Sequence, residues 1–172
     1  MDNLVLIGMP GCGKTTNGIF LARALGLRFV DTDRELMRRH GKKLAELSAE
    51  AGIEGFRDLE ADAVEALDLH GCVIATGGSV IYRDRAMEHL RAIGTVLYLR
   101  IRYETLAVRL RDLRARGVSF RAGQTLRDLY DERCPLYERY AHGVLDCDGL
   151  KPGDAVAGLA ALKDCKEEGA HT

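Results

Sequence analysis

Residues Gly8-Met9-Pro10-Gly11-Cys12-Gly13-Lys14-Thr15 read G-x-x-x-x-G-K-[ST], the pattern of a phosphate-binding P-loop. In such a loop the backbone N–H groups around Gly11, Cys12 and Gly13, with Thr15 and Thr16 at the helix start, face phosphate oxygens. Lys14 would reach the β- and γ-phosphates, and the Thr15 hydroxyl would hold Mg²⁺. Cys12 has the size of a small filler within the loop. The pattern implies binding of a nucleoside triphosphate and leaves the next step open, because kinases, GTPases and motor ATPases share it.

Further residues suited to chemistry follow. Asp31-Thr32-Asp33 offers two carboxylates near the nucleotide: Asp31 for the Mg²⁺ shell, often through water, and Asp33 to hold an acceptor hydroxyl and take its proton. Asp33 is also placed to cap the helix that follows, and the two roles are compatible. Arg57 is suited to a substrate carboxylate, with Glu60 one helical turn on to hold the guanidinium. An isolated arginine on a polar helix face is, by itself, more often solvated. Gly77 and Gly78 let the backbone approach a ligand closely and offer it amides. Pro135 is expected to kink a helix and turn Arg133 inward.

These residues need a scaffold, and strands alternate with helices throughout the chain. Strands are expected at 3–7, 28–31, 72–76, 95–101 and 143–146. LVLI, VIAT and TVLYL are continuous apolar runs, as in strands covered on both faces by helices. Helices are expected at 14–25, 33–40, 45–50, 53–69, 83–92, 103–115, 125–141 and 152–166. In the first, Ile19, Phe20, Ala22 and Leu25 read as the apolar stripe, with Gly26 as the stop. The expected fold is a doubly wound α/β domain with a five-stranded parallel sheet and the ligand along the carboxyl ends of the strands. One domain spans 1–166, with a helical acceptor-binding insertion at 33–69, a lid at 114–124 that carries three arginines and two glycines, and a frayed tail at 167–172.

The totals exclude several classes. A net charge of −1 over 172 residues gives no global field for nucleic acid or an anionic membrane. No apolar run reaches a membrane-spanning length, and Met1-Asp2-Asn3 shows no leader pattern. Five scattered cysteines without C-x-x-C fit free thiols in a reducing cytoplasm better than disulfides or zinc. A guanine-reading Asn-Lys-x-Asp is absent, which counts against a GTPase.

The P-loop, Asp31-Thr32-Asp33, Phe56-Arg57 with Glu60, Thr76-Gly77-Gly78 and Arg133-x-Pro-Leu-Tyr, taken in this order and spacing, resemble the shikimate kinase family from Asn3 to about Leu162. The resemblance implies a P-loop NTPase fold with sheet order 2-3-1-4-5 in a three-layer αβα arrangement. It implies ATP-dependent phosphorylation of shikimate to shikimate 3-phosphate by a cytoplasmic monomer that uses Mg²⁺. It makes Asp33, Arg57, Gly77, Gly78 and Arg133 the acceptor set, and Lys14 and the lid arginine Arg116 the groups that stabilise the transferring phosphoryl. Arg109 and Pro152 would border the adenine.

The family's glycine triplet reads Gly77-Gly78-Ser79 here, and the lid lacks Arg-Pro-Leu-Leu, which leaves Arg121 as the alternative to Arg116. Alternative readings are a kinase for another small hydroxy acid or for a nucleoside monophosphate, and a non-catalytic nucleotide-binding regulator.

Overall fold

The computed structural model describes residues 3–110 and 120–165. Strand β1 (Asn3–Ile7) leads through the P-loop into α1 (Lys14–Leu25). There follow β2 (Arg28–Asp31), α2 (Thr32–His40), α3 (Leu44–Glu65), β3 (Cys72–Ala75) and a 3-10 turn at Val80–Tyr82. The chain continues through α4 (Asp84–Ile93), β4 (Gly94–Arg100), α5 (Tyr103–Arg109), α6 (Leu126–Tyr140), β5 (Gly143–Asp146) and α7 (Pro152–Ala161).

The strands form one parallel five-stranded sheet in the order β2-β3-β1-β4-β5, as the family resemblance implied. The three continuous apolar runs are its interior strands. Every residue of β1 and β3 is buried, and so is β4 up to Leu99, whereas the edge strands β2 and β5 are partly exposed. Covering both faces of the inner strands removes the need for alternation. At the lower end of the sheet, buried Asn3 ties three segments together. Its amide donates to Leu69 O at 2.6 Å and Ile93 O at 3.0 Å, and its carbonyl accepts from Cys72 N at 3.0 Å.

Helix α1 buries Ala22 and packs Leu25 on the core, as its apolar stripe suggests, but leaves the stripe's other two residues outside. Ile19 and Phe20 are 45% and 47% exposed. The buried positions are Lys14, Asn17, Gly18, Leu21 and Ala22, a stripe at helical spacing that starts from the P-loop lysine. Gly13, the N-cap, has φ 104°, a left-handed conformation in which a side chain is strained.

The segment between β2 and β3 builds its own small core from Leu36, Leu47, Phe56 and Ala63. The two helices expected at 45–50 and 53–69 are the two halves of α3, which meet at a kink where Gly52 is non-helical (φ 69°, ψ 178°), and the second ends at Glu65. Asp31, and not Asp33, caps α2: its carboxylate accepts from Asp33 N at 3.0 Å and Arg34 N at 3.3 Å. Capping requires the extended backbone that ends β2, and Asp31 has it (φ −115°, ψ 116°). In α6, Thr125 and Asp128 form a capping box, and the helix runs on through Pro135.

Arg116, most of the expected lid and the 167–172 tail lie outside the described residues, as does the end of the helix expected at 103–115. Among the described residues no helix is long and apolar enough to cross a membrane. All five cysteines are free thiols.

Candidate active site

One cavity of about 650 Å³ opens along the carboxyl ends of the strands. Its floor is the P-loop and the first turn of α1, from Pro10 to Asn17. Lys14 is buried, and its ammonium donates to the loop's own carbonyls, Gly8 O at 2.7 Å and Met9 O at 3.0 Å. These contacts hold the lysine close to where the loop amides and the helix N-terminus converge. On the rim, the Thr15 hydroxyl donates to Asp31 Oδ2 at 3.1 Å. Thr15 and Thr16 are exposed to the cavity.

One end of the cavity is lined by Arg109, Cys147, Leu150 and Ala155. Arg109 Nη1 donates to Gly11 O at 3.4 Å, so it borders the P-loop from the side of α5. Pro152 opens α7 between Leu150 and Ala155. This end mixes a cationic side chain with apolar ones.

The other end gathers Asp33, Arg57, Glu60, Gly77, Gly78, Ser79 and Arg133 from four separate stretches of chain. A Cβ on Gly77 would lie 2.2 Å from Glu60 Oε1 and 2.7 Å from Asp33 Oδ1. The missing side chain is therefore what lets two carboxylates approach the backbone there. Gly78 is crowded in the same way by Pro10 Cδ at 2.9 Å and Arg133 Nη1 at 3.1 Å. The backbone groups of this turn are partly engaged already. Gly77 N donates to Thr32 Oγ1 at 3.2 Å, and Gly78 O accepts from the Tyr137 hydroxyl at 2.5 Å. Gly77 N is thus committed within the protein, where the sequence suggested it for the acceptor.

The two carboxylates are electrostatically unusual. Burial, with the neighbouring Asp31 charge, pushes Asp33 up to about 6, although Lys14 acts in the opposite direction. Glu60 is pushed up to about 7 by burial first and by Asp33 second, against the Ser79 hydrogen bond and the charges of Arg133 and Arg57. Asp31 spends its oxygens on the α2 cap and Thr15, whereas Asp33 takes no hydrogen bond from a described residue. A carboxylate that is free, half-buried and poised near neutrality is suited to accepting a proton.

Arg57 and Arg133 are 7% and 4% exposed. Neither is a solvated helix-face arginine. Glu60 does not hold Arg57 in the expected hydrogen bond. Arg57 Nη1 instead pairs with Glu54 at 2.8 Å, one turn back on α3, and Glu60 accepts a short hydrogen bond from the Ser79 hydroxyl. Ser79, the departure in the glycine turn, is thus tied to Glu60. Tyr82 was not singled out in the sequence: Arg57 lies over its ring, 3.6 Å from the centroid, and Arg133 Nε donates to its hydroxyl at 3.2 Å. Arg121 pairs with Glu132 at 3.6 Å and does not line the cavity.

The shikimate kinase family model matches residues 10–162. Shikimate kinase 2 of Salmonella dublin is 37% identical over 151 residues, covering 85% of this chain and 83% of that protein. Among solved structures, the shikimate kinase of Acinetobacter baumannii in complex with shikimate superposes with a TM-score of 0.87 at 32% identity, covering 94% of this chain and 92% of that one. The Aquifex aeolicus shikimate kinase superposes at 0.82 with 26% identity, covering 98% of each chain. A gluconokinase from Sinorhizobium meliloti, at 19% identity and a TM-score of 0.56, shares the fold alone.

Proposed function

The chain belongs to the shikimate kinase family, and from that premise we propose that it transfers the γ-phosphoryl group of ATP to a hydroxyl of shikimate, giving ADP and shikimate 3-phosphate. The observation that carries the reading is the single cavity. It joins a phosphate cradle to two buried arginines and a free carboxylate, so that an anionic hydroxylated acceptor and the γ-phosphate meet between them.

In this reading Arg57 and Arg133 bind the acceptor carboxylate, and Asp33 holds the reacting hydroxyl. As the acceptor oxygen bonds to the γ-phosphorus, the bridge to the β-phosphate breaks and the hydroxyl proton passes to Asp33. Lys14, released from Gly8 O and Met9 O, and Arg116 of the lid neutralise charge on the transferring group. Gly77 and Gly78 shape the acceptor pocket, and Arg109 and Pro152 border the adenine. Thr15 Oγ1 and Asp31 Oδ2 are oxygen donors 3.1 Å apart at the cradle's edge, a set that fits Mg²⁺ held partly through water. Bound there, the ion would offset charge on the β- and γ-phosphates. Residues 1–166 act as one kinase domain, with the 33–69 insertion on the acceptor and 114–124 as the lid, and the protein works as a cytoplasmic monomer.

A coupled ADP-release assay tests this reading with ATP and GTP against shikimate, gluconate, AMP and CMP. ATP with shikimate is expected to give the highest kcat/KM. Preferred turnover of AMP or CMP would reassign the arginines to a substrate phosphate, and preferred turnover of gluconate would replace shikimate by another hydroxy acid.

A further inference from the structure

Arg57 and Arg133 come from helices α3 and α6, about seventy-six positions apart in sequence, and converge as two buried like charges. Like charges at close quarters repel, more strongly where water is excluded. Arg57 is offset by Glu54. Arg133 forms no ion pair with a carboxylate among the described residues. What lies between them is Tyr82. Arg57 Cζ is 3.6 Å from its ring centroid, and Arg133 Cζ is 5.3 Å from the same centroid. Arg133 Nε also donates to the phenolic oxygen at 3.2 Å. One side chain thus presents its negative face to one guanidinium and a lone pair to the other.

Tyr82 is itself held in place. It ends the 3-10 turn that follows Ser79, with Tyr82 N bonded to Ser79 O at 3.1 Å, and Glu132 faces its hydroxyl. It does not line the cavity, so it reaches an acceptor only through the arginines.

We propose that Tyr82 is the positioning residue that holds Arg57 and Arg133 at a separation suited to one carboxylate and so sets affinity for the anionic acceptor. The inference rests on the acceptor reading given above. Cation–π contact orients a guanidinium without consuming its N–H donors, so Arg57, which commits Nη1 to Glu54, keeps its remaining donors for the ligand. Arg133 gives Nε to Tyr82, also hydrogen-bonds the Tyr137 side chain, and lines the cavity with the rest of its guanidinium. Without Tyr82 the two cations would move apart or toward water, and the acceptor would have to bring them together again out of its own binding energy.

The test compares the parent with Tyr82→Phe and Tyr82→Leu in steady-state kinetics on shikimate and ATP, with thermal melting alongside. Phenylalanine keeps the ring and removes the hydroxyl, so the shikimate KM should rise about tenfold, the lower end of the scale for one hydrogen bond to a charged group. Leucine removes both contacts and should raise it about fiftyfold, roughly a further factor for the lost cation–π contact. The ATP KM and the kcat at saturating shikimate should stay within about threefold for both. In an Arg133→Lys background, Tyr82→Phe should add less than about twofold, since the Nε donor is gone. A shikimate KM within twofold of the parent for both variants would overturn the proposal. So would a rise shared equally by ATP and shikimate, or a fall in kcat that tracks melting, because each marks a merely structural tyrosine. A parent that does not turn over shikimate overturns the acceptor reading, and this inference with it. An active parent with unaffected variants overturns the role of Tyr82 alone.

Discussion

The Thr15 hydroxyl donates to Asp31 Oδ2 at 3.1 Å, while Oδ1 of the same carboxylate caps α2. One side chain therefore joins the first turn of α1 to the start of the helical segment between β2 and β3, and its two duties can be separated by substitution.

Asparagine is as good an N-cap as aspartate, but it is a weaker Mg²⁺ ligand. Asp31→Asn is expected to leave the melting temperature nearly unchanged and to raise the Mg²⁺ concentration for half-maximal activity several-fold. Asp31→Ala should do the same to Mg²⁺ and also cost about 1 kcal/mol of stability. Magnesium titrations and melting curves on both variants check this. An unchanged Mg²⁺ dependence in both would remove Asp31 from the metal site.

Asp33→Asn should leave the ATP KM nearly unchanged and lower kcat by about 10²–10⁴-fold, the range for loss of a general base. In the parent, kcat/KM should fall as pH drops through about 6, where Asp33 takes up its proton. The same shift fixes the sign of a stability effect. The folded state binds this proton more tightly than the unfolded chain, so ionised Asp33 costs stability, fully above about pH 6 and not at all below the ordinary value of 3.8. Asp33→Asn is thus expected to raise the melting temperature by about 3–6 °C at pH 8 and by little at pH 3.5. A variant that loses activity and stability together at pH 8 would make Asp33 structural.

Arg57→Lys and Arg133→Lys keep the charge and lose the planar fork. Each should raise the acceptor KM about tenfold or more, given roughly 1.5–3 kcal/mol for a hydrogen bond to a charged group. The ATP KM should barely move. Kinetics that leave the acceptor KM unchanged in both would remove the claim of an anionic acceptor.

Asn3→Ala removes three hydrogen bonds at the base of the sheet and leaves their main-chain partners buried without replacements. The expected loss is about 2–3 kcal/mol, read from denaturant midpoints at unchanged m-value. The shikimate and ATP KM values should not change, because Asn3 lies at the end of β1 opposite the cavity. A loss below about 0.5 kcal/mol would mean that water replaces these contacts.

Much of this protein was legible from spacing along the chain. The P-loop positions depend on one another over eight residues, so the strand, loop and helix around Lys14 can be read directly. The interior strands show as uninterrupted apolar runs because both their faces are covered. The residues proposed for the acceptor also appear in order, as Asp33, Arg57, Gly77, Gly78 and Arg133, and the cavity brings them together.

What the chain order could not carry was which residues meet. Ile19 and Phe20 look like part of the buried face of α1, but they are 45% and 47% exposed, while Lys14, Asn17 and Gly18 face inward. Glu60 is one turn from Arg57, within reach of it along the helix, yet Ser79, nineteen positions on, takes its oxygen while Glu54 takes the arginine. Tyr82 belongs to no motif, and its place between two arginines exists only once α3, α6 and the turn after β3 converge. Local sequence determines backbone conformation and burial tendency, which depend on near neighbours. Charge pairing and the pKa values of Asp33 and Glu60 depend on distances across elements, and those are set only when crossovers between parallel strands bring remote segments to the same end of the sheet.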